Sequence, residues 1–337
     1  MLALKVDDVS FGQSDLKFAA IAIGRNEGER LKRCLESLSA AARIVYVDSG
    51  SADGSVRWVR EYGLDVIELD MDVPFTAARA RNAGFRRLRQ VAPDLTYVQF
   101  VDGDCELNRQ WPEQAIGYLD AHPGVAAVCG RRRERFPEVS IYNWLCDVEW
   151  NVPSGEVRAF GGDVMMRTTA LEGVGGYRDD LIAGEEPELC IRLRAAGWRI
   201  RRLPSEMTLH DAAMTRFGQW WRRAVRAGYA FAQGAYLHGA APEQHYLWET
   251  RRAWLWGVWL PLACLAASAV LWPWGLLAWL IYPLQFLRQT LRNPGSLIDR
   301  ATVAFFQLLA RFPEALGQIN FFFGRLLHRQ MQLIEYK

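Results

Sequence analysis

Lysine is scarce in this sequence: 36 of its 40 basic side chains are Arg and only 4 are Lys. Genomic composition bias is the plain reading of that ratio. It also leaves a chain well supplied with planar, bidentate grips for phosphate. Cysteine is sparse too, at Cys34, Cys105, Cys129, Cys146, Cys190 and Cys264. No pair has metal-knuckle spacing, and a chain of 337 residues needs no disulfide staples, so zinc ribbons and disulfide frameworks are excluded. The thiols are expected as small buried hydrophobes. The opening MLALKVDDVSFGQSDLK lacks a sustained apolar run and is not read as a signal peptide, so the first 250 residues are expected on the cytoplasmic side. There is no fixed-period repeat or low-complexity tract, and apolar residues at 50% argue against disorder.

Net charge is small, +2, but unevenly placed. Residues 1–250 carry 31 basic and 35 acidic side chains; residues 251–337 carry 9 and 3. A basic tail behind a slightly acidic body fits an anionic membrane surface and not a nucleic-acid groove.

FAAIAI (18–23), RIVYV (43–47) and residues 65–69 read as strands, with helices at 30–38 and 55–62 between them. Strand–helix–strand–helix–strand in this space predicts an α/β fold with a largely parallel sheet. An Arg-rich helix follows at 75–90, then a strand at 95–101, a helix at 112–122 and a strand at 125–129. Residues 131–157 are charged, aromatic and irregular, and read as loop. A helix at 187–196, a strand at 199–203 and a helix at 220–233 complete this part.

From Trp254 to Leu287 there are 34 residues without a charged side chain, including six tryptophans. A span needs about 20 residues. WPWG in the middle suits a turn, and Arg251, Arg252, Arg288 and Arg292 flank the run, so both ends belong on the same, positive side. The second arm, 276–287, is short for a full crossing, so two spans and a re-entrant or interfacial hairpin both remain open. Residues 301–323 are apolar but hold Arg311 and Glu314, and read as an amphipathic interfacial helix.

Asp102-Gly103-Asp104 stands at the carboxyl end of a predicted strand, where α/β sheets place ligands. Two carboxylates one residue apart suit Mg2+ or Mn2+ and, through the ion, a diphosphate. D-x-D turns are also common in plain loops. Asp48 ends another strand beside SGSADGS; it can receive base and ribose donors or simply cap the turn. Glu185 and Glu186 open a helix, where a carboxylate can serve as general base or merely complement the dipole. His210 is a reasonable ligand among only five histidines.

Together these segments resemble the family 2, GT-A-type glycosyltransferases over Phe18 to His210. FAAIAIGRNEGERLKRCLESL is similar to the first strand, Asn-Glu loop and helix; VYVDSGSADGS to the strand with the base-binding aspartate; ARARNAG to the Ala-Arg-Asn segment. VQFVDGDCEL is similar to the metal-binding strand, FGGDVMMR with GVGGY to the acceptor-side Gly-Gly region, and GEEPELCIRLRAAGW to the helix of the catalytic base. The resemblance implies a GT-A, Rossmann-like catalytic domain over 16–245, and the uncharged run with its basic flanks marks 251–337 as a helical membrane-associating region. The resemblance also implies an inverting, metal-dependent, hexosyltransferase-like enzyme with a nucleotide-diphospho-sugar donor, taken as a UDP-sugar. Asn26, Glu27, Asp48, Arg81 and Asp102 would bind that donor, with Arg81 near the phosphates. Asp104, Asp102 and His210 would hold Mn2+ or Mg2+. Glu186 stands where the family usually has an aspartate, so the base is Glu186 or, one residue earlier, Glu185. Such families also make polysaccharides and lipid-linked sugars, and the basic apolar tail favours a lipid-linked saccharide or envelope glycan as acceptor at the cytoplasmic membrane face, beside envelope-polysaccharide assembly proteins. A nucleotidyltransferase would show an early Gly-rich, Lys-containing loop, whereas GRNEGER has no Lys. A scaffold that kept the fold but lost turnover would not need Asp48, Asp102, Asp104, Glu186 and His210.

Overall fold

The computed structural model describes residues 18–327. It divides into two compact units. The first runs up to Pro137 and adds Cys146–Asp180 and Glu185–Ala212; the second holds Glu138–Leu145, Leu181–Gly184 and the chain from Ala213 onward.

The first unit begins β1 (Phe18–Gly24), α1 (Glu29–Ser37), β2 (Arg43–Asp48), α2 (Ser55–Glu61), β3 (Asp65–Glu68), α3 (Ala77–Val91), β4 (Tyr97–Asp102), β5 (Cys105–Leu107), α4 (Trp111–Ala121) and β6 (Val125–Glu134). Then come α5 (Ile141–Trp150), which crosses from one unit to the other in sequence, β7 (Gly155–Glu156), β8 (Val164–Arg167), α6 (Thr168–Gly173), α7 (Glu185–Ala195) and β9 (Arg199–His210). The sheet order is β3-β2-β1-β4-β8-β6-β9-β5, with β7 on β9. Strands β3, β2, β1 and β4 are parallel, as are β6 and β9; β8, β5 and β7 pair antiparallel. The sheet is therefore mixed, with its parallel half built from the first strands.

Local chemistry explains these elements. β1 is almost wholly buried, so it reads as a continuous apolar run, as expected of a strand covered on both faces. Thr76 caps α3, its Oγ1 accepting the Arg79 N–H at 3.0 Å. Small residues bring α3 close to the sheet: a Cβ on Gly84 would lie 2.5 Å from Ile21 Cγ2. β1, β2 and β4 end together. Gly24 is in register with Asp48, and Ile23 with Asp102. Asp48 and Asp102 thus lie on the strands either side of β1, about 10 Å apart at the backbone by two interstrand spacings.

The segment expected as loop, 131–157, is largely regular. β6 continues to Glu134 and α5 follows. Charge hid both. Arg131, Arg132 and Arg133 each meet a carboxylate, on Asp147, Asp102 and Glu206, so the strand carries them without orphaned charge. In α5, Ile141, Trp144, Leu145 and Val148 keep a helical period among the polar residues. β9 also outruns its expected end at 203 and carries His210 as its last residue, with no intervening loop. All six cysteines are buried, and none forms a disulfide.

The second unit contains α8 (Phe217–His238), α9 (Leu247–Trp254), one π turn at Leu255–Trp259, α10 (Leu260–Val270), a 3-10 segment at Trp274–Leu280, α11 (Ile281–Arg292), α12 (Leu297–Leu309) and α13 (Arg311–Leu326). Leu247–Val270 forms one 24-residue helical run, the one among the described residues long and apolar enough to cross a membrane. The helix ends at Val270, and a 3-10 segment begins at Trp274. Gly275 lets the arms touch, since a Cβ there would sit 1.9 Å from the Ala267 carbonyl oxygen. Tyr282 Oη donates to the Trp256 carbonyl at 2.7 Å. The second arm is longer than its apolar core, ending at Arg292.

The single helix expected over 301–323 is two, α12 and α13, parted at Ala310. Pro313 falls in the first turn of α13, where a missing N–H costs nothing. Arg311 and Glu314 are not at a water boundary. They pair at 2.6 Å and are buried, because Gly228 and Gly317 let α8 and α13 meet backbone to backbone.

Candidate active site

The first unit gathers its charge around two arginines, Arg81, which is buried, and Arg132, which is partly buried. Arg81 Nη1 lies 3.0 Å from both Glu185 Oε1 and Glu186 Oε1, and Nη2 lies 3.0 Å from Asp102 Oδ1. The Tyr177 ring covers the guanidinium at 5.5 Å. Arg132 Nη2 lies 3.2 Å from Asp102 Oδ2 and 3.1 Å from Cys105 Sγ, and Nε lies 3.4 Å from Asp163 Oδ2. Trp150 stacks on it at 5.0 Å. Asp163 in turn accepts the Asp102 N–H at 3.1 Å and the Thr208 hydroxyl at 2.7 Å, fixing the end of β4. Gly162 is required here: its Cβ would stand 2.5 Å from Asp102 Oδ2 and 2.8 Å from Arg81 Nη2.

Four carboxylates (Asp102, Asp163, Glu185 and Glu186) thus surround two guanidiniums, an excess of negative charge suited to a further cation. Burial, then the neighbouring Glu185 carboxylate, pushes the Glu186 carboxyl up to about 7; Arg81 opposes the rise. Glu186 keeps 15% side-chain exposure against 4% for Glu185, so it is the more reachable of the two.

Asp104 and His210 form the adjoining pair. Cys105 and His210 are paired in register across β5 and β9. His210 Nε2 lies 3.3 Å from Asp104 Oδ2, and Nδ1 lies 3.2 Å from Glu134 Oε2. Glu134, fully enclosed, also accepts the Ala212 N–H at 3.1 Å. Burial and the nearby Arg132 lower the His210 pKa, favouring the neutral ring. With Nδ1–H donating to Glu134 Oε2, the neutral ring turns a lone pair on Nε2 toward the Asp104 carboxylate. Two acceptors at that separation fit a shared divalent cation, and the oxygen and imidazole donors suit Mn2+ or Mg2+.

The expected site residues fall into three groups. Arg81, Asp102, Glu185 and Glu186 meet in one cluster; Asp104 and His210 meet in another. The Asp102 carboxylate meets Arg81 and Arg132, and it groups with Cys105 and Asp163 as possible metal ligands. Arg81, expected beside donor phosphates, has its guanidinium among the three carboxylates. Asp48, Asn26 and Glu27 lie at the ends of β1 and β2. Asp48 accepts from Tyr46 Oη at 2.9 Å and from the Gly50 and Ser51 N–H groups at 2.9 and 2.7 Å. Asn26 ties the two loops: its N–H donates to Ser51 Oγ and its Oδ1 accepts the Ala52 N–H, both at 2.8 Å. Glu27 pairs with Arg30 at 2.8 Å.

Sequence reasoning passed over Arg132, Glu134, Trp150 and Asp163. Arg132 and Glu134 share one face of β6, two residues apart, a period-2 signal concealed in RRRER. Asp163 stood inside FGGDVMMR without being singled out.

Residues 21–162 match the model of glycosyl transferase family 2. It is 23% identical to glycosyltransferase AglE of Haloferax volcanii over 326 residues, covering 91% of this chain and 97% of that protein. It is 30% identical over 227 residues to the pre-mycofactocin glycosyltransferase of Mycobacterium tuberculosis, covering 64% of this chain but only 46% of that longer protein. Among solved structures, the mannosyltransferase PcManGT of Pyrobaculum calidifontis, in complex with GDP-Man and Mn2+, superposes with TM-score 0.59 at 21% identity, over 89% of this chain and 87% of that one. Residues 1–349 of TarS from S. aureus, in complex with UDP-GlcNAc, give TM-score 0.50 at 15% identity, over 91% and 92%. At these identities the likeness is one of fold.

Proposed function

We propose that this protein is an inverting glycosyltransferase that moves a sugar from a nucleotide-diphospho-sugar to a lipid-linked saccharide at the cytoplasmic membrane face. The observation that carries the reading is the meeting of Glu185, Glu186 and Asp102 on Arg81, beside the Asp104–His210 pair, at the carboxyl edge of the parallel strands. The family match, and the nucleotide-sugars named in the two superposed structures, support the donor class.

Asp48, with its loop locked to Asn26, offers a rigid acceptor for donor N–H or O–H groups. Glu186 accepts the proton of the attacking acceptor hydroxyl; a base with pKa near 7 is well matched to work near neutral pH. Arg81 fixes the Glu186 carboxylate, so that the oxygen can attack the anomeric carbon in line and the nucleoside diphosphate departs from the opposite face. Asp104 and His210 would hold Mn2+ or Mg2+, which supplies charge neutralisation for the departing diphosphate.

The membrane side of the reading rests on Leu247–Val270 and the hairpin after it. Their Arg flanks favour the cytoplasmic side and anionic headgroups. Detergent-solubilised full-length protein, given a nucleotide-sugar panel and a membrane lipid extract, should add one sugar mass to a lipid species and release nucleoside diphosphate. Pyrophosphate release from a nucleoside triphosphate and a sugar phosphate would instead identify a nucleotidyltransferase.

A further inference from the structure

Cys105 follows Asp104 directly, opens β5 and is fully buried. Its Sγ lies 3.5 Å from Asp104 Oδ1, while Asp104 Oδ2 lies 3.3 Å from His210 Nε2. One donor atom from each of the three side chains lies within 4.8 Å of the others. A tetrahedral Zn2+ with oxygen, nitrogen and sulfur ligands at roughly 2.0–2.3 Å holds them about 3.3–3.7 Å apart. The Oδ2–imidazole and Oδ1–thiol spacings, one to each oxygen of the Asp104 carboxylate, already have that size. The outer shell is built as well. Glu134 takes the Nδ1 side of His210, the Trp150 ring meets the imidazole edge-on at 4.8 Å, and Arg132 Nη2 lies 3.1 Å from the sulfur.

Oxygen and imidazole alone leave a site open to hard ions. A thiolate turns its preference toward softer ones. We propose that Cys105 is a third protein ligand here, and that the cluster also takes a soft divalent ion, Zn2+ or Cd2+, held by Asp104, Cys105 and His210. On binding, the S–H bond breaks, a sulfur–metal bond forms and the proton leaves to solvent; no oxidation state changes. An ion so held occupies Asp104 and His210, so Zn2+ excludes Mn2+ from the same pair. The proposal needs neither donor nor acceptor, so it stands or falls apart from the transferase reading.

The test is titration of full-length, detergent-solubilised, chelator-stripped protein with Cd2+, without nucleotide. The expected result is a near-ultraviolet thiolate-to-metal charge-transfer band that saturates at one equivalent. Cys105→Ser should lose the band and weaken Zn2+ binding by more than about 100-fold, the upper end of what loss of an outer-shell partner costs. Scalar coupling from bound 113Cd to the Cys105 β-protons gives a second readout that uses the wild-type protein alone. A wild-type protein without the band, a band that survives in Cys105→Ser, or coupling to a different cysteine would each overturn the proposal.

Discussion

Replacing Arg81 with Met keeps the length of the buried stem and removes the charge that Asp102, Glu185 and Glu186 share at 3.0 Å each. Breaking a buried ion pair from one side costs about 3–5 kcal/mol, because the partner charge stays enclosed. Two features place this case near the lower figure. Asp102 retains Arg132, and Glu186, already pushed up to about 7, can take up a proton. A loss of about 3 kcal/mol corresponds to roughly 6–12 °C in Tm for a domain of this size. The loss should also depend on pH. A raised carboxyl pKa in the folded state contributes stability that is present below the unfolded carboxylate range and lost as pH rises through about 7. Arg81 opposes that rise, so without it the pKa climbs further and the penalty grows at alkaline pH. Thermal unfolding of wild type and Arg81→Met should therefore differ most near pH 8, by the margin above, and least near pH 5. A deficit independent of pH, or a Tm within roughly 2 °C of wild type throughout, would refute the argument that Arg81 compensates these carboxylates.

Glu186→Gln should lower kcat by roughly 10²–10⁴-fold with donor affinity little changed, in steady-state kinetics beside a nucleotide-binding titration; a normal Glu186→Gln with an inactive Glu185→Gln would move the base one residue. Because the base must be unprotonated, wild-type kcat should fall on the acid side of about pH 7, and a flat profile down to pH 5 would speak against Glu186. Asp104→Asn should weaken Mn2+-dependent nucleotide binding measured by calorimetry, and unchanged affinity would remove Asp104 as a ligand. In cell fractionation, detergent should release the protein whereas high salt or carbonate should not, since salt screens the Arg flanks but leaves the Leu247–Val270 helix buried; recovery in the high-speed supernatant would sink the membrane reading.

The parallel half of the sheet was legible because β1, β2 and β4 are apolar runs that end on conspicuous residues, Gly24, Asp48 and Asp102. β6 beyond Cys129, and α5, were not. Their charged residues make sense only once the partners Asp147, Asp102 and Glu206 are in place, and those lie 16, 30 and 73 positions away along the chain. The apolar helix Leu247–Val270 was legible from the missing charge, but the burial of Arg311 and Glu314 on α13 was not, because its cause is the pair Gly228 and Gly317, nearly ninety residues apart. At the site, single residues could be picked from sequence, whereas the electrostatic partnership could not. Arg81 carries no local sign that it will face carboxylates before any phosphate, and Glu134 acts through a histidine on another strand.

The most direct test of sugar transfer is nucleoside diphosphate release by purified full-length protein, measured with its best donor and lipid acceptor, with and without Mn2+, in wild type and Glu186→Gln. Metal-dependent release matched mole for mole by glycosylated lipid, and abolished by the substitution, is the expected result. Failure of every nucleotide-sugar to turn over, or equal release by Glu186→Gln, would contradict the account.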